Sequence, residues 1–302
     1  RHVPWVWKFS YYFLEHPLVY RLVQPLRRFW NLLIARRFMR RLRAEQPDAV
    51  IVTHFLPADL CSSAKRSGWW AGKLIVVVTD FYAHRFWISP EPEAMVVSTP
   101  EGANVLERRG VARSRIYVRG IPISHVVSAV AERAHLQQRF GLDPSRVTLL
   151  MTSGGTTVGK FEQVVDAVLS LESSAPGRLQ LLVVCGEDER VRQRLSARMA
   201  SEAMTLRVFG FIDYMAELMA VSDLVISKAG GLTVSEALAA HRPLVLYHVI
   251  PGQEQVNAQH VALAGAAIIA ANAEEVASAV RRCLEEPERL AAMRQAAKAL
   301  GR

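Results

Sequence analysis

Ten short apolar runs, rich in β-branched residues, alternate with helix-length segments along this chain. The runs occupy residues 49–53, 74–79, 95–98, 116–118, 147–152, 181–185, 206–209, 224–227, 244–249 and 267–270. Most segments between them carry Ala, Leu, Glu and Arg at helical spacing. Because parallel strands are joined by crossover helices, the alternation predicts an α/β protein with doubly wound parallel sheets.

The distribution of the runs predicts two domains of unequal completeness. A chain of 302 residues with 51% hydrophobic composition can bury two ordinary cores. Six runs follow residue 145, four precede it, and none lies before residue 48. A doubly wound sheet normally opens with a strand and a ligand-binding turn, so the first domain is expected to be truncated, without its first strand and Gly-rich loop. The predicted boundaries are 1–125 for the N-terminal domain, 126–145 for a linker and 146–302 for the C-terminal domain.

The positive charge lies at the N-terminal end. Residues 1–43 hold ten basic residues and one acid, whereas the rest of the chain holds 27 of each sign. At 100° per residue, a helix over residues 36–43 places its five arginines on one arc and Phe38, Met39 and Leu42 on the other. The residues expected at a membrane surface are Trp5, Trp7, Arg27, Arg28, Arg36, Arg37, Arg40 and Arg41.

Three interpretations of this basic segment stay open. Mixed cationic and aromatic side chains suit a bilayer interface with anionic lipid, which the aromatics favour. A solvated helix face is the ordinary alternative. Nucleic acid is not the expected partner, because no recognised motif accompanies the charge. The purest apolar stretch, residues 261–271, falls short of the roughly 20 residues that span a bilayer. With three scattered cysteines, the protein is expected to be cytoplasmic and peripheral on the inner face of the cell membrane.

Two glycine pairs follow predicted strands. "LLMTSGGTTVGK" places Gly154 and Gly155 before a helix start, and "SKAGGLTVSEAL" does the same with Gly230 and Gly231. Glycines let the backbone approach a ligand, and the free amides of a helix start favour an anion. The first turn lacks the spacing of a P-loop or a dinucleotide fingerprint, so a tight turn without a ligand explains it almost as well.

The residues that follow Gly231 have two interpretations. Thr233 and Glu236 match a capping box, in which the glutamate folds back on the threonine amide and needs no ligand. Alternatively, the glycine turn holds a phosphate while the Glu236 carboxylate accepts both hydroxyls of a ribose.

A third polar motif, "PGQEQVNAQ", follows another predicted strand. Gln253, Glu254 and Asn257 supply amides and a carboxylate suited to sugar hydroxyls, although an exposed helix start would look the same. Both this motif and the second glycine turn come at carboxyl ends of strands, where ligands bind in such sheets.

The motifs together resemble a known family. "FIDYMAELMAVSDLVISKAGGLTVSEALAAHRPLV" with "PGQEQVNAQHVALAGAA" resembles the nucleotide-sugar domain of the glycosyltransferase family that includes the lipid II-forming N-acetylglucosaminyltransferase. "QPDAVIVTHF", "VVVTDFYAHRFW" and "RGIPI" are similar to its glycolipid branch, the processive diacylglycerol glucosyltransferases and monogalactosyldiacylglycerol synthases. The resemblance implies a GT-B architecture of two Rossmann-like domains, with UDP-sugar in the C-terminal one and the acceptor at the N-terminal one.

The resemblance also implies a donor site. Lys228 and backbone amides would stabilise the departing UDP, with no metal and no cofactor beyond the UDP-sugar co-substrate. The other implied contacts are Phe211 and Ile212 with uracil, Glu236 with ribose, Ser153, Gly154, Gly155, Thr156, Ala229, Gly230, Gly231, Leu232 and Thr233 with the diphosphate, and Gln253, Glu254 and Asn257 with the donor sugar.

The residues that the resemblance implies for the acceptor side are only partly present in this sequence. The family assigns the catalytic base to a His in a Gly-rich turn, which is expected upstream of Arg1, so this fragment is expected to bind donor and to be impaired in turnover. Asp80 and His84 follow a predicted strand and are the candidates present, with an ordinary turn residue and a polar loop residue as their alternatives.

The resemblance implies an inverting transfer of glucose or galactose from a UDP-hexose to a diacylglycerol-type lipid. The alternatives are a UDP-N-acetylglucosamine-dependent transferase of peptidoglycan precursors, a UDP-N-acetylglucosamine 2-epimerase, and a nucleotide-sugar binder without catalysis.

Overall fold

The structure is a computed structural model that describes residues 17–89, 91–124, 133–153, 161–198 and 205–301, apart from the side chains of residues 17, 18, 20, 21, 24, 27–29 and 32. Its contacts divide the chain into two units. The first comprises Arg1–Pro122 with Pro251–Val256, and the second comprises Ile123–Ile250 with Asn257–Arg302. Trp5 and Trp7 lie outside the described residues, and Arg27 and Arg28 are among the positions whose side chains are not described.

The first unit is built on a parallel sheet of four strands in the order β1-β2-β3-β4. A 3-10 turn at Arg85–Trp87 lies between the second and third strands. In chain order the helices and strands are α1 (Pro17–Ile34), α2 (Arg36–Glu45), β1 (Ala49–Val52), α3 (Phe55–Arg66), β2 (Lys73–Val77), β3 (Ala94–Val97), α4 (Pro100–Arg108) and β4 (Ile116–Val118).

Helix α2 has the two faces that its sequence predicts. Leu42 is buried, and Phe38 and Met39 pack against the core of the first unit. The opposite arc is exposed and holds Arg36, Arg37, Arg40, Arg41 and Arg43. None of the helices among the described residues is long and apolar enough to cross a membrane.

The second unit is built on a parallel sheet of six strands in the order β10-β9-β8-β5-β6-β7. Its elements are α5 (Arg133–Phe140), β5 (Val147–Thr152), α6 (Phe161–Leu169), β6 (Leu179–Val184), α7 (Glu189–Ala197), β7 (Thr205–Phe209), α8 (Met215–Val221), β8 (Leu224–Ser227), α9 (Gly231–Ala239), β9 (Leu244–Tyr247), α10 (Gln253–Leu263), β10 (Ala267–Ala270), α11 (Ala273–Glu285) and α12 (Pro287–Leu300).

This order is that of a Rossmann sheet, and it fixes where a ligand can enter. The chain starts at β5, adds β6 and β7 on one side, and then returns to add β8, β9 and β10 on the other. The crossovers after β5 and β8 therefore leave in opposite directions and open a crevice beyond the carboxyl ends of these two strands. The predicted fold class of Rossmann-like parallel-sheet domains is confirmed in each unit.

All ten predicted runs are strands, and their ends differ from the prediction by at most two residues. The run at 244–249 stops at Tyr247 because His248 adopts a left-handed φ of 48°, which takes the chain out of the sheet. The run at 181–185 begins earlier, at Leu179, because β6 is buried along its whole length and pairs with all of β5.

Asp223 is an electrostatic junction at the amino ends of β5 and β8. Its carboxylate accepts hydrogen bonds from Arg133 at 2.9 Å, from Arg294 at 2.8 Å and from the Thr148 amide at 2.9 Å. Burial, followed by repulsion from Arg133 and Arg294, lowers the pKa of nearby Arg242 to about 10. Asp223 is thus the carboxylate that offsets three guanidinium groups carried by α5, α12 and the α9–β9 loop.

We predict that Asp223→Asn destabilises the second unit by about 2 kcal/mol, because it leaves the guanidinium groups without their counter-charge. Chemical denaturation of the variant and the parent measures this difference. Asp213→Asn is the control, since Asp213 is exposed in the same unit. Equal losses in the two variants would refute the role of Asp223.

Candidate functional site

The start of helix α9 lies at the crevice, and no side chain in the described part of the chain caps it. Gly230 is its N-cap residue, with φ −67° and ψ 136°. Any residue tolerates this backbone conformation, and a Cβ at Gly230 would meet no heavy atom within 4 Å. The protein's own packing therefore does not explain the glycine, whereas a ligand that comes close to the backbone does.

The capping-box interpretation of Thr233 and Glu236 is wrong. Helix α9 begins at Gly231, so Thr233 is its third residue and Glu236 lies in its second turn. The amide of Val234 already donates to the Gly230 carbonyl at 3.0 Å. The helix starts earlier than the motif suggests because the chain enters it almost directly from β8.

Glu236 is instead a partly buried carboxylate one turn inside a short helix. Burial raises its pKa above the ordinary value for glutamate. A desolvated carboxylate near a helix start is a costly arrangement that is typical of a functional site, because a bound hydroxyl pair can restore the hydrogen bonds lost with water.

Two of the predicted motifs meet through one hydrogen bond. Buried Asn257 of α10 donates from Nδ2 to the carbonyl of Ala229 at 3.1 Å. Ala229 directly precedes Gly230, so the bond fixes the glycine turn to Asn257 within the second unit. This contact brings the motifs together although they are separated in sequence by the whole of α9 and β9.

The other predicted donor residues follow the ends of strands. Ser153 is buried directly after β5, while Gly154, Gly155 and Thr156 lie outside the described residues. Lys228 is half-buried directly after β8. Phe211, two residues after β7, has 76% of its surface exposed, and its neighbour Ile212 is half-buried. An exposed aromatic ring at a strand end is available to stack on a planar group.

The predicted acceptor-side residues differ in what they offer chemically. Asp80 Oδ2 accepts a hydrogen bond of 2.8 Å from Gln253 Nε2, within the first unit as its contacts define it. His84 is buried, and its Nδ1 accepts the Phe86 amide at 3.2 Å, which caps the 3-10 turn. With Nδ1 occupied as an acceptor, the neutral ring carries its proton on Nε2 and cannot take another without breaking that bond.

Sequence reasoning missed His54. This residue lies two positions after the end of β1 and caps α3, where its Nδ1 accepts the Leu56 amide at 3.1 Å. Its side chain is exposed at the same end of the sheet as Asp80, and burial lowers its pKa. The neutral ring therefore presents an Nε2 donor at this edge. The signal was a histidine at the end of a β-branched run, in "AVIVTHF".

Two family models match the chain. The glycosyltransferase family 28 C-terminal domain matches residues 148–301. Monogalactosyldiacylglycerol (MGDG) synthase matches residues 1–123. A processive diacylglycerol beta-glucosyltransferase of Bacillus cereus (strain AH187) is 31% identical over 262 residues. That alignment covers 86% of this chain and 66% of the relative, so the chain spans about two thirds of the length of the curated relatives it matches.

Solved structures share the fold. S. aureus MnaA with UDP gives a TM-score of 0.71 at 15% identity, covering 90% of this chain and 76% of that one. UDP-GlcNAc 2-epimerase from Neisseria meningitidis, bound to UDP-GlcNAc, gives 0.66 at 14% identity, covering 90% of this chain and 78% of that one. At these identities the likeness shows the fold alone.

We predict that Thr233→Ala changes the free energy of unfolding by no more than about 0.5 kcal/mol, because Thr233 caps nothing. Asn272→Ala is the matched comparison, since Asn272 caps α11 by accepting the Glu275 amide at 2.8 Å. This second variant should lose about 1 kcal/mol in the same denaturation experiment. A cost for Thr233→Ala as large as that for Asn272→Ala would restore the capping box.

Proposed function

Because the chain belongs to glycosyltransferase family 28, we propose that it is an inverting hexosyltransferase, which moves glucose or galactose from a UDP-sugar to a diacylglycerol-type lipid. The B. cereus relative supports this class of acceptor by its name. The observation that carries the proposal is the uncapped start of α9, fixed by Asn257 at the crevice of a Rossmann sheet.

The donor is proposed to bind along the carboxyl ends of the strands in the second unit. The diphosphate lies against the first amides of α9, where peptide dipoles and uncapped N–H groups favour an anion. Glu236 accepts the ribose hydroxyls, and Phe211 and Ile212 contact the uracil. Gln253, Glu254 and Asn257 are assigned to the sugar by the family resemblance.

Charge develops on the departing UDP as the bond to the sugar C1 breaks. In this proposal the first α9 amides, which the fold holds in place, and Lys228, which directly follows β8, stabilise the leaving group. The sugar ring gains oxocarbenium character, as in glycoside hydrolysis. The proposal assigns this stabilisation to the chain's own groups and includes no metal or further cofactor.

Asp80 is the proposed proton acceptor among the described residues of the first unit. A carboxylate offers several acceptor positions on two oxygens, and Asp80 uses Oδ2 to accept from Gln253, whereas the Nδ1 lone pair of His84 is used in capping. His54 is proposed to position the acceptor by donating from Nε2, since its Nδ1 is engaged with Leu56.

The acceptor's location follows from its chemistry. A diacylglycerol-type lipid stays in the bilayer, so the enzyme must reach it at the membrane surface. We propose a peripheral protein on the inner face of the cell membrane, with the exposed arginines of α2 facing anionic lipid. The two-sheet fold also occurs in the epimerase above, and epimerisation would proceed without any lipid.

We predict that Glu236→Gln weakens UDP binding by about ten- to a hundredfold, because a neutral amide is a poorer acceptor for two hydroxyls. Calorimetry on the variant and the parent measures the affinity. The raised pKa means that the folded state holds the Glu236 proton more tightly than the unfolded chain, so ionisation destabilises the fold as the pH rises through that pKa.

The variant without ligand should therefore melt at the same temperature as the parent or higher at pH 7. UDP affinity of the parent should also fall on acidification toward the raised pKa, by more than that of the variant. Loss of melting temperature with unchanged UDP affinity would assign Glu236 a structural role only.

We predict that Asp80→Asn lowers kcat for hexose transfer to diacylglycerol by about a hundredfold or more while UDP affinity stays within twofold. Transfer is measured on the full chain with UDP-glucose, UDP-galactose and UDP-N-acetylglucosamine, each with and without the lipid. Asp48→Asn, an exposed aspartate before β1, is the control. Turnover of UDP-N-acetylglucosamine without lipid would favour the epimerase instead.

A further inference from the structure

Helix α1 exposes a row of large apolar side chains. Leu22, Leu26, Trp30 and Ile34 are 81%, 60%, 54% and 75% exposed, respectively, and follow one another at intervals of four residues. At 1.5 Å per residue the row is about 18 Å long. We call these four residues the apolar stripe. Single exposed apolar residues need no explanation, but a contiguous row of four marks an interaction surface.

The stripe lies on the side of α1 that faces away from the core of the first unit. Asn31 anchors the opposite side, donating from Nδ2 to Asp59 Oδ2 of α3 at 3.0 Å. In α2, Leu42 is buried and Phe38 packs on the core. One face of each helix is therefore packed against the rest of the first unit.

The exposed arginines of α2 continue the stripe. Ala35 separates the two helices, because its backbone at φ −96° and ψ 26° is not helical. Its amide donates to the Asn31 carbonyl and its carbonyl accepts the Met39 amide, both at 3.0 Å. On a helix of 100° per residue the stripe covers an arc of about 120°. Arg37, Arg40 and Arg41 are exposed on α2, which begins two residues after Ile34, so exposed cationic groups directly follow the apolar stripe along the chain.

We propose that the apolar stripe and these three arginines form one membrane-docking surface, whose occupant is an anionic bilayer. The stripe inserts at the level of the headgroups and upper acyl chains, and the arginines bind lipid phosphates. Charge complementarity selects the anionic bilayer, and Trp30 is of the residue type enriched at bilayer interfaces. The inference deepens the proposed function, on which it rests, by naming the surface that carries the enzyme to its acceptor.

The two parts of the surface respond differently to salt. Arginine–lipid attraction is screened as ionic strength rises, whereas apolar insertion is not. Binding to phosphatidylglycerol vesicles should therefore fall with salt to a residual level instead of to zero. A solvated basic face without insertion would lose all its binding at 1 M salt, where the Debye length is about 3 Å.

The test compares Leu26→Glu/Ile34→Glu with the full chain in vesicle co-sedimentation. The double variant should bind phosphatidylglycerol vesicles at least tenfold more weakly and lose the salt-resistant part of binding. Leu263→Glu is the control, because Leu263 is 89% exposed but belongs to the second unit, and it should bind as the parent does. Unchanged binding of the double variant would overturn the proposal.

Trp30→Phe supplies a readout that needs no disruptive charge. Brominated lipids should quench the parent's tryptophan fluorescence more than that of the variant, because Trp30 reaches acyl-chain depth. Equal quenching would overturn the proposal. It would also be overturned if the parent formed a dimer in solution that the double substitution dissociates while vesicle binding stays unchanged, because the stripe would then bind a second copy of the chain.

Failure of the docking surface and failure of the proposed function can be told apart. UDP affinity and transfer to a short-chain diacylglycerol dissolved in detergent do not need the docking surface, so both should survive in the double variant. Loss of vesicle binding with these two retained supports the inference. If the parent chain binds vesicles but not UDP, the docking surface is supported and the proposed function is refuted.

Discussion

Parallel strands cannot be joined by tight turns, and this constraint determines where the candidate site of this chain lies. Every connection must cross back over its sheet, so the carboxyl ends of all strands lie on the same side of the sheet. In the second unit the chain reverses its direction of growth between β5 and β8, which separates two crossovers at that edge. Ser153, Lys228 and Gly230 follow those two strands. The site is thus a consequence of strand order, since β5 and β8 are neighbours and these residues lie just beyond their carboxyl ends.

The start of α9, at the carboxyl ends of the strands, lacks two interactions that would stabilise the fold. Gly230 leaves the first amides of α9 without a side-chain cap, and Glu236 is held where burial disfavours its charge. Helix α11, which follows β10, is capped instead: Asn272 Oδ1 accepts the Glu275 amide at 2.8 Å, and the Glu275 carboxylate accepts the Ala271 amide at 2.9 Å. A side-chain cap occupies an amide that an anion would otherwise bind, so the contrast between α9 and α11 fits binding at α9 and stability at α11.

The sequence predicted the sheets well because buried parallel strands read as continuous apolar runs, whichever ligand the protein binds. It also predicted both faces of α2, since one helical period decides them. The prediction of a capping box at Thr233 was wrong because the motif specifies only the spacing of two residues and not the residue at which the helix begins. His54 was missed because its role depends on a tautomer fixed by the Leu56 amide. The apolar stripe was missed because an i, i+4 row predicts a buried face, and only the fold reveals that Asn31 occupies the protein-facing side.

The central claim is that the amides at the start of α9 bind the diphosphate of a UDP-sugar. Backbone hydrogen exchange followed by mass spectrometry, with and without UDP, tests it at the peptide bonds themselves. Peptides that cover residues 228–236 should exchange more slowly when UDP is present, while those over α11 should be unaffected. UDP binding that protects other segments and leaves residues 228–236 unchanged would contradict the account.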